Sequence, residues 1–228
     1  MAIASYKDLC IDAGDVPLVA RFWGELLGLE VEVRGDGVAS LARAGHVVLW
    51  VNPVPEPKVV KNRVHLDLWV GPGTDLAARG AVLLAEDGGF QVWADPEGNE
   101  LCAFPPPEGV VLDEPARWFA LCTDSARPAE DAAWWAGVVG GELRPGPDGA
   151  LRYLHGAAGL GDVVWKFVGV PDERTVKNRW HWDVVARVED LVAAGARVLR
   201  PEGDGLRWSV IVDPSGNELC AFAPPDVR

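Results

Sequence analysis

No apolar run in this chain approaches the ~18 residues that span a bilayer, so no membrane-crossing helix is expected. The opening residues, MAIASYKDLCIDAGD, lack a charged stretch followed by an apolar one, so no secretory leader is expected and the reading is cytoplasmic. Clusters of basic residues are also missing. With 21 Lys+Arg against 34 Asp+Glu the net charge is −13, which argues against binding a phosphate backbone or an anionic membrane. Only 4 cysteines occur and none stands in a CxxC, which removes the usual structural zinc sites. All four fall in strand-like apolar runs, where a reduced thiol acts as a small buried hydrophobe.

What is present is an ordinary globular composition, 49% apolar and 24% charged, able to bury a real core. It is written twice. Lys61-Asn62-Arg63-Val64-His65-Leu66-Asp67 returns 116 residues later as Lys177-Asn178-Arg179-Trp180-His181-Trp182-Asp183. Asp95-Pro96-Glu97-Gly98-Asn99-Glu100-Leu101-Cys102-Ala103-Phe104 returns 118 residues later as Asp213-Pro214-Ser215-Gly216-Asn217-Glu218-Leu219-Cys220-Ala221-Phe222. An internal duplication follows, with one copy over 1–107, a proline-rich linker over 108–117 and a second copy over 118–228.

Within the first copy the spacing predicts a strand at 7–12 and a helix opened by Asp15-Val16-Pro17 and closed by Gly28. Its apolar residues Val19, Phe22, Trp23, Leu26 and Leu27 recur at helical intervals. Strands follow at 30–34, 38–43 and 46–51. After a connector at 52–60 come a strand at 65–70, a short helix at 74–80 capped by Thr74 or Asp75, and strands at 90–94 and 100–104. The second copy repeats this order, with a connector running to 176. Each half thus reads as two β-α-β-β-β units, an α+β architecture of paired βαβββ modules forming a cupped, mostly antiparallel sheet.

His65 and Asp67 are two apart on a strand, as are His181 and Asp183, so each pair shares a face opposite an apolar one. That arrangement suits either a pair lining a ligand cavity or buried polar groups bonded to the connector. The Lys-Asn-Arg stretch is read as structural rather than as an anion clamp. DPxGN has a complete account as a turn: Pro presets φ, Gly takes the positive φ, and Asp and Asn satisfy backbone groups. There are 11 tryptophans. Those on strands (Trp50, Trp69, Trp93, Trp165, Trp180, Trp182 and Trp208) either stack on a planar ligand or fill sheet–helix interfaces.

A helix reading ARFWGELLG (AAWWAGVVG in the second copy), followed by KNRxHxD and DPxGNELCAF, resembles the glyoxalase/bleomycin-resistance/extradiol-dioxygenase superfamily, also called vicinal oxygen chelate proteins. More narrowly, it is similar to their glyoxalase-like domain branch. The resemblance covers nearly the whole chain and implies the fold. It does not choose among lyases, epimerases, dioxygenases and non-catalytic drug binders. In metal-dependent members the ligands come from the first and last strands of each module, commonly His and Glu. Carried over, His65 and His181 match the first-strand His, but Cys102 and Cys220 stand where the Glu belongs. Glu100 is on the same strand face, about 6.6 Å away along the strand. The first modules offer Asp8 in one copy and Ala120 in the other.

The reading is therefore a small-molecule binder that holds a planar or aromatic compound against a concave sheet, with His65, Asp67, Trp69, Cys102, His181, Asp183 and Cys220 facing the ligand. No cofactor is favoured. The alternative is a metal-dependent lyase, epimerase or dioxygenase sited in the first half, with Zn, Ni, Mn or Fe on Asp8, His65, Cys102 and Glu100. A small molecule is the expected partner, a homodimer is left open, and neither nucleic acid nor membrane is expected.

Overall fold

The computed structural model describes residues 2–171 and 174–225. Positions 172 and 173 of the expected second connector, residue 1 of the first copy and 226–228 of the second lie outside the described residues. The chain divides into two compact units, Cys10–Leu121 and Met1–Leu9 with Cys122–Arg228. In chain order the elements are β1 (Ala4–Ala13), α1 (Val16–Leu27), β2 (Glu30–Val33), β3 (Ala39–Arg43), β4 (His46–Pro53), β5 (Val64–Val70), β6 (Val82–Asp87), β7 (Phe90–Ala94) and β8 (Glu100–Phe104). The second half supplies β9 (Ala116–Ser125), α2 (Pro128–Val139), β10 (Glu142–Pro145), β11 (Leu151–His155), β12 (Val164–Gly169), β13 (Trp180–Ala186), α3 (Val188–Ala193), β14 (Arg197–Arg200), β15 (Ser209–Val212) and β16 (Glu218–Phe222).

The β-α-β-β-β order recurs in three of the four modules, the second module of the first half having a 3-10 turn in place of its helix, and the class is α+β. In the Cys10–Leu121 unit, β4, β3 and β2 are neighbours, as are β5, β8, β7 and β6. In the other unit the corresponding runs are β12-β11-β10 and β13-β16-β15-β14. The pairs β5/β8 and β13/β16 are parallel, because the crossover between their modules' first and last strands demands it. The hairpins are antiparallel.

Two local readings need correction. The expected helix at 74–80 shrinks to a single 3-10 turn, Ala77–Arg79, with Asp75 Oδ1 accepting the Ala78 N–H. A strand that the sequence reading passed over, β6, precedes β7. It is an edge strand exposed along its whole length, so it has no buried/exposed alternation to betray it.

Helix α1 begins where Asp15 accepts the Leu18 N–H (3.0 Å) with proline in the first turn, and ends where Gly28 takes a left-handed conformation (φ 62°). Its apolar stripe packs on β2, β3 and β4. Trp23 reaches further: its indole Nε1 donates to Asp95 Oδ2 in the β7–β8 turn (3.1 Å, buried). From the same turn Glu97 accepts the backbone N–H groups of Gly14 (3.0 Å) and Asp15. The second half repeats the device, with Trp135 Nε1 donating to Asp213 Oδ2 at 3.1 Å. One helix thus clamps both strand sets of its unit.

The cores differ. At positions 116 residues on, Leu49, Val51, Val64 and Leu66 become Trp165, Phe167, Trp180 and Trp182, all fully buried. Trp135, Trp165 and Trp182 form a mutual cluster with ring centroids 4.6, 4.8 and 5.3 Å apart. The helix gives way to make room. Where α1 has Val19, Leu26 and Leu27, α2 has Asp131, Val138 and Val139. Volume moves from helix to strand, as a close-packed interior requires. For Trp165, Trp180 and Trp182 the interface-filling alternative therefore holds, and they do not face a ligand.

Trp182→Ala should cost about 3–5 kcal/mol, because it opens a cavity in this cluster. Leu199→Ala, at a position 47% exposed, should stay within about 0.5 kcal/mol. Urea denaturation of the two variants checks both.

Candidate functional site

Alternation along β5 sorts its side chains. Val64, Leu66 and Leu68 are at most 1% exposed on one face, which leaves His65, Asp67 and Trp69 together on the other. Parallel pairing places Asp67 beside Cys102 and Trp69 beside Phe104. Antiparallel pairing then places Val92 beside Cys102. His65 Nε2 lies 3.7 Å from Asp67 Oδ1. Beyond this polar edge runs a row of rings. Trp69 stacks on Phe119 (centroids 4.8 Å, planes 13° apart), Phe119 meets Phe104 edge-on at 5.4 Å, and Phe104 stacks on Phe90 at 4.7 Å. All four rings are half-buried.

The second half keeps the polar edge and loses most of the row. His181 Nε2 is 3.9 Å from Asp183 Oδ1, and Asp183 pairs with Cys220. At the position of Trp69 stands Val185, paired with Phe222. Trp208 lies 5.3 Å from Phe222, and Lys7 Nζ sits 4.6 Å over the same ring.

The sequence reading expects His65, Asp67, Trp69 and Cys102 to face a ligand, and the pairing register of β5 and β8 puts them on one face. It missed Phe90, Phe104 and Phe119. The available signal was that Phe104 stands two residues beyond Cys102 and so shares its face.

Glu100 has other duties. Its Oε1 accepts from Lys58 Nζ (2.8 Å) and its Oε2 from the Asn62 backbone N–H (3.1 Å), while Asn62 Nδ2 donates to Asn99 Oδ1 (3.0 Å). Glu218 does the same for Arg174 and for Asn178 N–H (3.3 Å). The Lys-Asn-Arg stretch is thereby anchored through its asparagine to the turn two strands away. Asp8 is 6% exposed and bonded to Lys7 Nζ. Among the described residues, two groups of ligating side chains hold their donor atoms within 4.8 Å of one another. One contains His65 and Asp67, the other His181 and Asp183. An imidazole nitrogen beside a carboxylate oxygen is a donor set that suits Zn or Fe. Such groups occur in both halves, whereas the sequence reading confined them to the first.

This fold, two tandem α+β halves each built of paired βαβββ modules with a His-Asp pair on an inner strand, defines the class. The family model described as "Glyoxalase-like domain" matches residues 8–104 and 120–222, and the chain belongs to that family. No curated protein matches the sequence. Solved structures share the fold at low identity. Glyoxalase I from Zea mays is 13% identical over 96% of this chain and 92% of its own, with a TM-score of 0.63. A putative dioxygenase from Bacillus subtilis subsp. subtilis str. 168 is 18% identical over 97% and 86%, with a TM-score of 0.63. The cppA protein from Streptococcus pneumoniae TIGR4 is 12% identical over 95% and 97%, with a TM-score of 0.51. No helix among the described residues is long and apolar enough to cross a membrane.

Glu100→Ala should destabilise the fold by about 1–3 kcal/mol, because Lys58 and the Asn62 N–H would lose their acceptor in a nearly buried place. Equilibrium unfolding in urea measures it.

Proposed function

We propose that the chain binds a planar, aromatic organic molecule on the face of β5, β8 and β7, as a sequestering or resistance-type protein. The observation that carries this reading is the half-buried row Trp69, Phe119, Phe104 and Phe90 on the same face as His65, Asp67 and Cys102. Stacked and edge-on rings offer a flat ligand large contact area at low entropic cost. His65, Asp67 and Cys102 supply a short polar margin that would hydrogen-bond its edge and set its orientation. The Cys10–Leu121 unit is the working copy on this view, since Val185 stands at the position of Trp69 in the other unit and three strand tryptophans there are core.

A second reading draws support from the ligating group that contains His65 and Asp67. There a bound divalent metal would polarise a substrate carbonyl or enol oxygen as a Lewis acid. The chain's own contribution would be to hold that oxygen's carbon skeleton flat against the aromatic row.

Titration with 2-naphthol should give saturable quenching of tryptophan emission, weakened about 3- to 10-fold in Trp69→Ala. Absence of saturable quenching, or quenching indifferent to Trp69→Ala and Phe119→Leu, would overturn the binder. Metal analysis of protein purified without chelator decides the second reading. About one equivalent of Zn, Ni, Mn or Fe that is lost in His65→Ala would establish a metal centre.

A further inference from the structure

The opposite face of the same strands carries a feature that the binder reading does not use. Gln91 pairs with Ala103, Trp93 with Leu101, and Leu101 with Leu66. These side chains therefore lie on the face turned away from His65, Asp67 and Cys102. In most of the molecule such a face is covered by a crossover helix. Here the crossover from β5 to β6 holds only the 3-10 turn Ala77–Arg79, none of whose residues is buried. A groove of about 830 Å³ is left. It is lined by the loop Val70–Leu76, by the β6–β7 turn and by Gln91, Trp93 and Ala103, with Phe90 and Phe104 of the aromatic row also reaching it.

The second half serves as an internal control. There α3 inserts a fully buried Leu191, and the positions 118 residues beyond Gln91 and Trp93 are Ser209 and Ile211, 5% and 0% exposed. Where the cover is complete the strand carries small or aliphatic residues. Where it is cut away the strand carries a half-buried tryptophan.

That tryptophan is held in place. Its Nε1 donates to Gln91 Oε1 (3.0 Å), and Gln91 Nε2 donates to Glu86 Oε1 (2.7 Å). With its N–H satisfied and its rotation restrained, the indole has its π-face left for a ligand. The charged residues that line the groove are Asp75, Glu86 and Asp87, with no Lys or Arg among them. Carboxylates beside a restrained indole attract a flat cation, through Coulomb attraction and the ring quadrupole together.

We infer that this groove is a second binding site, for a planar organic cation stacked on Trp93 with its charge against Glu86 and Asp87. The site shares Phe90 and Phe104 with the row proposed above, but its stacking ring, Trp93, and its carboxylates are not part of that proposal.

The test titrates the full-length protein with proflavine, a planar aromatic cation, and uses 9-anthracenecarboxylate as a planar anion of similar size. Saturable proflavine binding is expected, weakened about 3- to 5-fold in Trp93→Ile. A comparable loss is expected in the double variant Glu86→Gln/Asp87→Asn, and affinity should fall as salt is raised. Isoleucine is the residue the second half tolerates at this place, and the double variant alters only exposed side chains. Binding that ignores both variants, competition by 9-anthracenecarboxylate at equal concentration, or a loss seen instead in Trp69→Ala would each overturn the assignment.

Discussion

A buried carboxylate in a tight turn holds each half of this protein together. Asp95 is 2% exposed, yet it accepts from the Trp23 indole (3.1 Å), the backbone N–H groups of Glu97 (2.9 Å) and Asn99 (2.8 Å), and Asn99 Nδ2. Asp213 accepts from the equivalent set: Trp135, Ser215 N–H, Asn217 N–H and Asn217 Nδ2. Burial pushes both carboxyls above the ordinary aspartate value, against the pull of these donors. Such a group is tolerable only while every donor stays in place. That requirement explains why the turn is spelled the same way twice, with Gly98 and Gly216 at φ 85° and 87°.

The network continues toward the site. Asn99 Oδ1 accepts from Asn62 Nδ2, and Glu100 holds Lys58 and the Asn62 backbone. Asn62 stands three residues before His65. The orientation of the His-Asp face is thus set by the same lock that pins α1 to the β7–β8 turn. A shared scaffold can then carry unequal contents. In the first half the rings lie half-open beside His65 and Asp67. In the second, aromatic volume has moved into the core under α2, and the face beside His181 and Asp183 is left with fewer rings.

Much of this was legible in the sequence because the relevant signals are local. The duplication, the module order, the cap at Asp15, the glycine stop at Gly28 and the His-Asp pairs each depend on residues within a few positions of one another. Other features depend on distant ones. That Glu100 is spent on Lys58, 42 residues away, cannot be read from spacing. Phe119 joins Trp69 only because their strands lie side by side. The burial of Trp165, Trp180 and Trp182 is paid for by Val138 and Val139 shrinking on α2, a compensation visible only once helix and strands are packed. The turn motif is legible as fold code from its own residues, whereas the bond from the Trp23 indole to Asp95, 72 residues on, leaves no trace in the helical spacing.

The lock is tested most directly by a double-mutant cycle of Asp95→Asn and Trp23→Phe, read by urea unfolding. If the indole–carboxylate bond secures the helix to the turn, the two changes are non-additive, with a coupling of about 1.5–3 kcal/mol. Additivity within about 0.5 kcal/mol would mean that the two residues act independently, and that the turn does not hold the helix.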